Sequence, residues 1–586
     1  MNKKFLFQKI IFRIIVIIIP FFIHPFNLFS QKLLSLNTDT ICNQYQLTGE
    51  LDSVDAFTPY SMSSYPQLNK HHFSTGVFST FCNGASDFFI SKKNNALYYT
   101  SLPHLGFAYT FGAQGFQSTK VNYYQTFRNH WILNINILRG QATGLLRNSE
   151  WKDQSLCVQL KKKHDRFSSY FDFEFSKQIT QNNGGVIDIN EANDFAPEIL
   201  SINKSNAYQE KRLFYLKQEN YFNLFRDSTF KAGIYNSNTL DLNNRKFYEN
   251  DTLFAIYQNN FFDTLSTQDD LQNSSFISAV GFFSKSKKMT FTIAPKINIW
   301  SYHIAQMYRD TIELNLNNSF NYSAQSFDIK QFASYNLIGA NKGWKNLIQL
   351  KYSKKSWDIH FAWTSESRLP ELYKRHYFSN NYFFSNDSLK MQSTNRIDCS
   401  FSLLLNKQKI KVSASYLALN NPYLFHNNQW TPDLYTNLNV FQGRINALFK
   451  IKFFSASPYY VINILPSGLE VAPSHQIGSR LVAKGGVFKA KKLILYGGIE
   501  PIYLSSFRRM AYIPSISSFS FSNPGELNKG YIDLRVFAGL ELDSFRFFAR
   551  AENLGYLWTD NSTEIMQNFP IPTVQIRLGI TWDFWN

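Results

Sequence analysis

From Val574 onward the chain reads VQIRLGITWDFWN, with Val574, Ile576, Leu578, Ile580, Trp582 and Phe584 on every second position. Gln575, Arg577, Gly579, Thr581 and Asp583 fill the places between them. A period of two is the signature of a strand with one apolar and one polar face. Ending a soluble edge strand on three aromatics in four residues would invite aggregation, so that face must be covered. The same alternation recurs along the chain: Leu105, Phe107, Tyr109 and Phe111; Trp131, Leu133, Ile135 and Ile137; Phe171, Phe173 and Phe175 around Asp172 and Glu174. It returns in Trp357, Ile359, Phe361 and Trp363 around Asp358 and His360, then in Ile397, Cys399, Phe401 and Leu403, and again in Ile532, Leu534, Val536 and Ala538.

The first thirty residues have a different logic. Lys3, Lys4, Lys9 and Arg13 precede the apolar run IIVIIIPFFI, and Ser30–Gln31 offers a small-residue cleavage site, the pattern of a secretory signal peptide. The run is about ten residues long, half of what a spanning helix needs. No later segment is a candidate transmembrane helix. An exported chain of alternating strands is then a β-sandwich or a membrane barrel, and only closed barrels and helices satisfy every backbone group in lipid. Aromatics at strand ends and full charges on the polar faces favour the barrel.

Connection lengths agree. Lys162 to Phe167 and Leu405 to Lys409 leave room only for tight turns, whereas 178–211, 239–274 and 364–395 read as long polar loops. Short turns at one end and long loops at the other are the outer-membrane arrangement. The expected division is a signal peptide at 1–30, a periplasmic lead-in at 31–95 and an all-β antiparallel transmembrane barrel at 96–586. The barrel is expected to have an even number of strands, about 18 and within 16 to 20.

Four stretches carry a family resemblance: NNALYYTSLPHLGFAYTFG (94–112), NNGGVIDINEANDF (182–195), LPELYKRHYFSNNYFFSNDSL (369–389) and the ending from Asn553. Over residues 52–586 the chain resembles the Bacteroidota family known as "Putative porin". The resemblance implies an outer-membrane β-barrel in the porin class. By likeness to other outer-membrane proteins, Trp582, Phe584 and Trp585 would form an interfacial anchor and the terminal signal read by the barrel-assembly machinery during insertion.

Residues that could carry chemistry are sparse. Asp358 and His360 share a polar face after Ser356, but no third partner is fixed, so a lumenal ion pair is the simpler reading than a triad. His71 and His72 near Cys82 lack the spacing of a metal site. Cys42 and Cys82 could pair in an oxidising compartment, while Cys157 on a polar face and Cys399 on an apolar one could not bridge. No enzyme activity, metal or cofactor is indicated.

Charge says more. After residues 1–30, 56 basic residues stand against 42 acidic ones, a net of +14. The lumen-lining candidates are Asp358, His360, Arg396, Asp398, Lys411, Asp533, Arg535, Arg546, Arg550 and Arg577. An open lumen so lined would draw small hydrophilic anions, unless the basic groups pair with carboxylates such as Asp398, Asp533, Glu541, Glu552 and Asp583. Dispersed charge on an exported chain excludes nucleic acid as a partner. The partners expected instead are outer-membrane lipid and lipopolysaccharide. Three readings follow: a passive porin with mild anion preference, an accessory or scaffold barrel bound to an outer-membrane protein partner in a secretion or assembly complex, and a TonB-dependent type of transporter. For the last, residues 31–95 are too few to fold a plug.

Overall fold

A computed structural model describes residues 88–585, except 94–95, 128–129, 165, 252–256, 258, 340, 387–388, 407, 433, 489–491 and 522–524, together with the backbone of 34–35. The signal peptide, most of the lead-in, His71, His72, Cys42 and Cys82 lie outside the described residues.

Twenty-two antiparallel strands close into one barrel. In chain order they are β1 (His104–Gly112), β2 (Phe116–Phe127), β3 (Trp131–Ala142), β4 (Trp151–Lys163), β5 (Phe167–Gln181), β6 (Ala207–Arg226), β7 (Phe230–Glu249) and β8 (Thr267–Ser286). They continue as β9 (Met289–Ile304), β10 (Met307–Ser323), β11 (Phe327–Ile338), β12 (Gly343–Ser353), β13 (Trp357–Arg368), β14 (Gln392–Leu405) and β15 (Gln408–Asn420). The wall is completed by β16 (Asn437–Ile451), β17 (Phe454–Ile464), β18 (His475–Gly486), β19 (Leu493–Leu504), β20 (Tyr531–Leu542), β21 (Phe545–Glu552) and β22 (Gln575–Trp585). No described helix is long and apolar enough to cross a membrane.

The expected barrel is present, but its strand number exceeds the 16 to 20 anticipated. The segment 239–274, expected as a loop, is also largely strand: β7 runs on to Glu249 and β8 starts at Thr267, their ends paired from Thr267–Glu249 down to Ser274–Leu242. DLNNRKFYE and TQDDLQNS are polar because the strands project past the apolar band, where alternation no longer has to separate lipid from lumen.

Every turn at one end of the barrel is short, as at 164–166, 227–229, 406–407 and 543–544. At the other end stand the long connections 182–206, 369–391, 421–436, 505–530 and 553–574. Both barrel termini lie at the short-turn end. Outward positions carry Ile397, Phe401, Val536, Ile576, Trp582 and Phe584, all well exposed on the bare chain. Cys399 is exposed on that face and Cys157 is buried facing inward, with no bridge between them.

VQIRLGITWDFWN is the closing strand: β22 pairs with β21 on one side and with β1 on the other, from His104–Trp585 to Gly112–Arg577. Its inward Gly579 exists to make room, since a Cβ there would lie 2.3 Å from the Phe548 ring. Trp585 departs from the expectation that it joins the anchor. Its indole sits 4.5 Å from the His104 ring and packs on Tyr98 and Tyr124 inside the lumen. Period two sends it to the opposite face from Phe584. Trp582 and Phe584 alone therefore face outward, their rings stacked 4.8 Å apart. Replacing both with Asp removes about 2 kcal/mol of favourable burial at each position. Such a variant is expected not to enter membranes as a heat-modifiable band on gels.

Candidate functional site

Alternation delivers half of each strand's side chains to the lumen, and on β18–β22 these are charged. Glu500, nearly fully buried, meets Arg480 at 2.8 Å, Arg550 at 3.8 Å and Arg535 at 4.0 Å. Arg535 also meets Asp533 at 3.7 Å, Glu552 holds Arg550 at 2.9 Å and Arg577 at 3.4 Å, and Asp583 holds Arg546 and His104, each at 3.1 Å. Arg577 lies 4.1 Å over the Phe116 ring. Five guanidiniums thus face four carboxylates, and the strong anion bias that unpaired arginines would create is largely cancelled.

The remaining lumen candidates lie apart, on β13–β15. Arg396 binds Asp398 at 2.8 Å, and Ser415 Oγ donates to the same carboxylate at 2.6 Å. Asp358 and His360 share the inward face of β13, with no hydrogen bond between them. Lys411 stands exposed near the turn end.

A barrel of this size is too wide for wall side chains to fill, so its interior must be occupied by other segments or left open. Here the long connections fold inward. The loop 505–530 leaves β19, and at its tip Ser517 adopts φ 48°. That tip reaches the opposite wall: Arg245 on β7 donates to Pro514 O at 3.0 Å, to Ser515 O and to Ser517 Oγ at 3.2 Å. Tyr377 of the loop 369–391 donates to Ser515 O at 3.1 Å. In the closed strand order β7 and β19 stand about halfway round from one another, so this loop spans the lumen.

Apolar packing consolidates the closure. One buried cluster joins Leu146, Val186, Leu424, Phe507, Phe519 and Ile565 from five different connections, and a second joins Tyr377, Phe425, Trp430 and Ile516 to wall residues. Asn380 clasps the loop at 250–266, accepting from the Phe262 and Asp263 amides at 2.8 and 3.0 Å and donating to Asp263 O at 2.7 Å. Buried Lys374 pairs with Glu371 at 2.9 Å and lies 4.9 Å over Trp430.

Burial alone would raise the Glu371 carboxyl, but Lys374 and Arg368 overcome it and hold the group down at about 2. A depressed carboxyl stabilises the fold above its ordinary range near 4.5 and loses that contribution as pH falls toward 2. Pepsin cleavage within 369–391 is therefore expected to rise over that interval. Glu371→Gln should flatten the rise; an unchanged pH profile would count against this origin.

The segment ahead of β1 adds a strap along the inner wall. Phe88 stacks on Tyr373 at 4.3 Å and lies 4.6 Å beneath the Arg245 guanidinium. Lys92 pairs with Asp172, and Lys93 donates through its amide to Glu174 at 3.0 Å and through Nζ to Ser155 at 2.9 Å. Leu97 packs with Ile132 and Tyr170, and the chain then enters β1 at the turn end. Sequence reasoning placed neither Arg245, Phe88 nor the two lysines in a site. The available signal was charge matching between KK at 92–93 and DFE at 172–174.

Several solved structures share this architecture. The copper transporter OprC matches with a TM-score of 0.59 and 9% identity, over 83% of this chain and 82% of that one. The FrpB iron transporter from Neisseria meningitidis gives 0.58 and 9%, over 86% and 87%. The ferric-catecholate import receptor Fiu from K12 E. coli gives 0.56 and 8%, over 86% and 85%. Identity this low shows a common fold and leaves their cargo with them. No curated protein matches the chain. The family described as "Putative porin" matches residues 27–586, and the chain belongs to it.

Proposed function

We propose that this protein is a gated outer-membrane channel for small hydrophilic solutes, closed in the conformation described. The observation that carries this reading is the nature of the closure. A polar, charge-lined lumen is blocked by connections of the barrel itself, whose displacement would leave the hydrogen-bonded wall intact. The long-loop end then faces outside the cell and the short-turn end faces the periplasm. Lipid and lipopolysaccharide surround the apolar band, and the barrel-assembly machinery inserts the chain. With the arginines of β18–β22 matched by carboxylates, selectivity between anions and cations on that wall is weak. The channel reading assigns the protein no enzymatic step.

The same cap favours a second reading, a poorly conducting accessory or scaffold barrel in a secretion or assembly complex. Planar-bilayer recordings on the refolded protein separate them. The channel reading expects rare openings in the native protein and sustained conductance once the cap is loosened. A loosened cap with no conductance, together with a co-purifying outer-membrane protein, would establish the scaffold.

A further inference from the structure

The strap does more than fill space, because it places ammonium groups in a seat built for them. Lys92 Nζ pairs with Asp172, whose side chain is essentially buried, and lies 4.5 Å over the face of Tyr215. Lys93 reaches Asp153 at 3.9 Å and Ser155 at 2.9 Å, while its amide donates to the buried Glu174 carboxylate. Ser176 Oγ donates to Glu174 at 2.9 Å, which fixes that carboxylate's direction. A carboxylate on one side of a cation and an aromatic face on the other is a recognition geometry for organic ammonium ions. The site is thus defined by the cation it holds as well as by its acids.

Two features make it a lumenal site. Both lysine side chains remain partly open to the lumen, at 19% and 33%. Among the described residues, Asp172 and Asp153 form ion pairs only with the strap's lysines; the neighbouring Glu219 is already matched by Lys217. Withdrawing the strap would leave this stretch of β4 and β5 with uncompensated negative charge, in contrast to the balanced wall at β18–β22.

We propose that Lys92 and Lys93 stand in for a cationic solute, and that the seat of Asp172, Glu174, Asp153 and Tyr215 binds primary amines, diamines above all, when the strap is displaced. A role for that seat in passage rests on the channel reading; the binding itself does not. The probe is 1,5-diaminopentane, titrated calorimetrically into the full-length refolded barrel in detergent, with heat-modifiability confirming the fold of each variant and 1,5-pentanediol as the uncharged control.

The native protein is expected to give little heat, and Lys92→Gln/Lys93→Gln to bind the diamine but not the diol. Adding Asp172→Asn should weaken that binding by roughly tenfold or more. Should that variant fail to fold, Tyr215→Leu in the same background leaves the charges intact and should weaken it by roughly fivefold. No binding by the folded lysine variant, or binding indifferent to Asp172 and Tyr215, overturns the proposal. Diamine binding by a variant that never conducts would keep the site and remove the channel.

Discussion

Arg245→Ala is expected to open the lumen. The guanidinium is fully buried, bonds three oxygens of the loop tip at 514–517 and lies 4.6 Å from the Phe88 ring, so it ties the crossing loop and the strap to one wall. Charged hydrogen bonds contribute about 1.5–3 kcal/mol each; the Pro514 and Ser515 carbonyls keep the Ser517 amide and the Tyr377 hydroxyl as donors, so the loss is that of the guanidinium's own bonds. A combined loss of about 3 kcal/mol shifts a closed–open equilibrium by roughly two powers of ten. Single-channel recording should show long openings where the native protein gives brief ones. Because the residue stands above the apolar band, the variant should still migrate as a folded, heat-modifiable barrel. A folded variant as silent as the native protein would contradict the assignment.

Glu500→Gln is expected to be the most damaging conservative change in the wall. The carboxylate faces Arg480, Arg535 and Arg550 in a region with almost no solvent exposure. Breaking a buried charge pair by removing one partner costs about 3–5 kcal/mol, because the surviving charge keeps its desolvation penalty. The urea midpoint of the refolded barrel should fall accordingly. Combined with Arg245→Ala, the change should also move the reversal potential in a salt gradient toward anion selectivity. An unaltered midpoint would mean that water or neighbouring groups replace the lost charge.

Much of the wall was legible because lipid imposes a strict rule on it. Ile397 and Phe401 outward, Arg396 and Asp398 inward, and the closing role of Gln575–Trp585 all follow from period two. The strand ends were less legible because β7 and β8 extend beyond lipid, where Asn243, Asn244 and Asp270 no longer advertise a strand. The cap was hidden for a related reason. Phe507, Phe519, Ile565 and Met566 bury themselves among other loops, and packing between irregular segments leaves no period to read. Arg535 and Arg550 could be put on polar strand faces one at a time, but Arg480 was missed, and Glu500, placed between Ile499 and Pro501, gives no hint that these three converge on it. That convergence depends on the register of four successive strands, β18 to β21.

The loop tip anchored on Arg245 also has a mechanical consequence. A barrel of 22 strands is a wide hoop, and a hoop without a cross-member flattens easily because adjacent strands can pivot about their shared hydrogen bonds. A segment fixed to β19 and β20 at one side and to β7 at the other acts as a tie across that hoop. Unlocking it releases the cross-section as well as the mouth. Amide exchange along β6 and β7 should quicken in Arg245→Ala relative to β12 and β13, so that the compliance of the wall would rest on one side chain of the loop anchor.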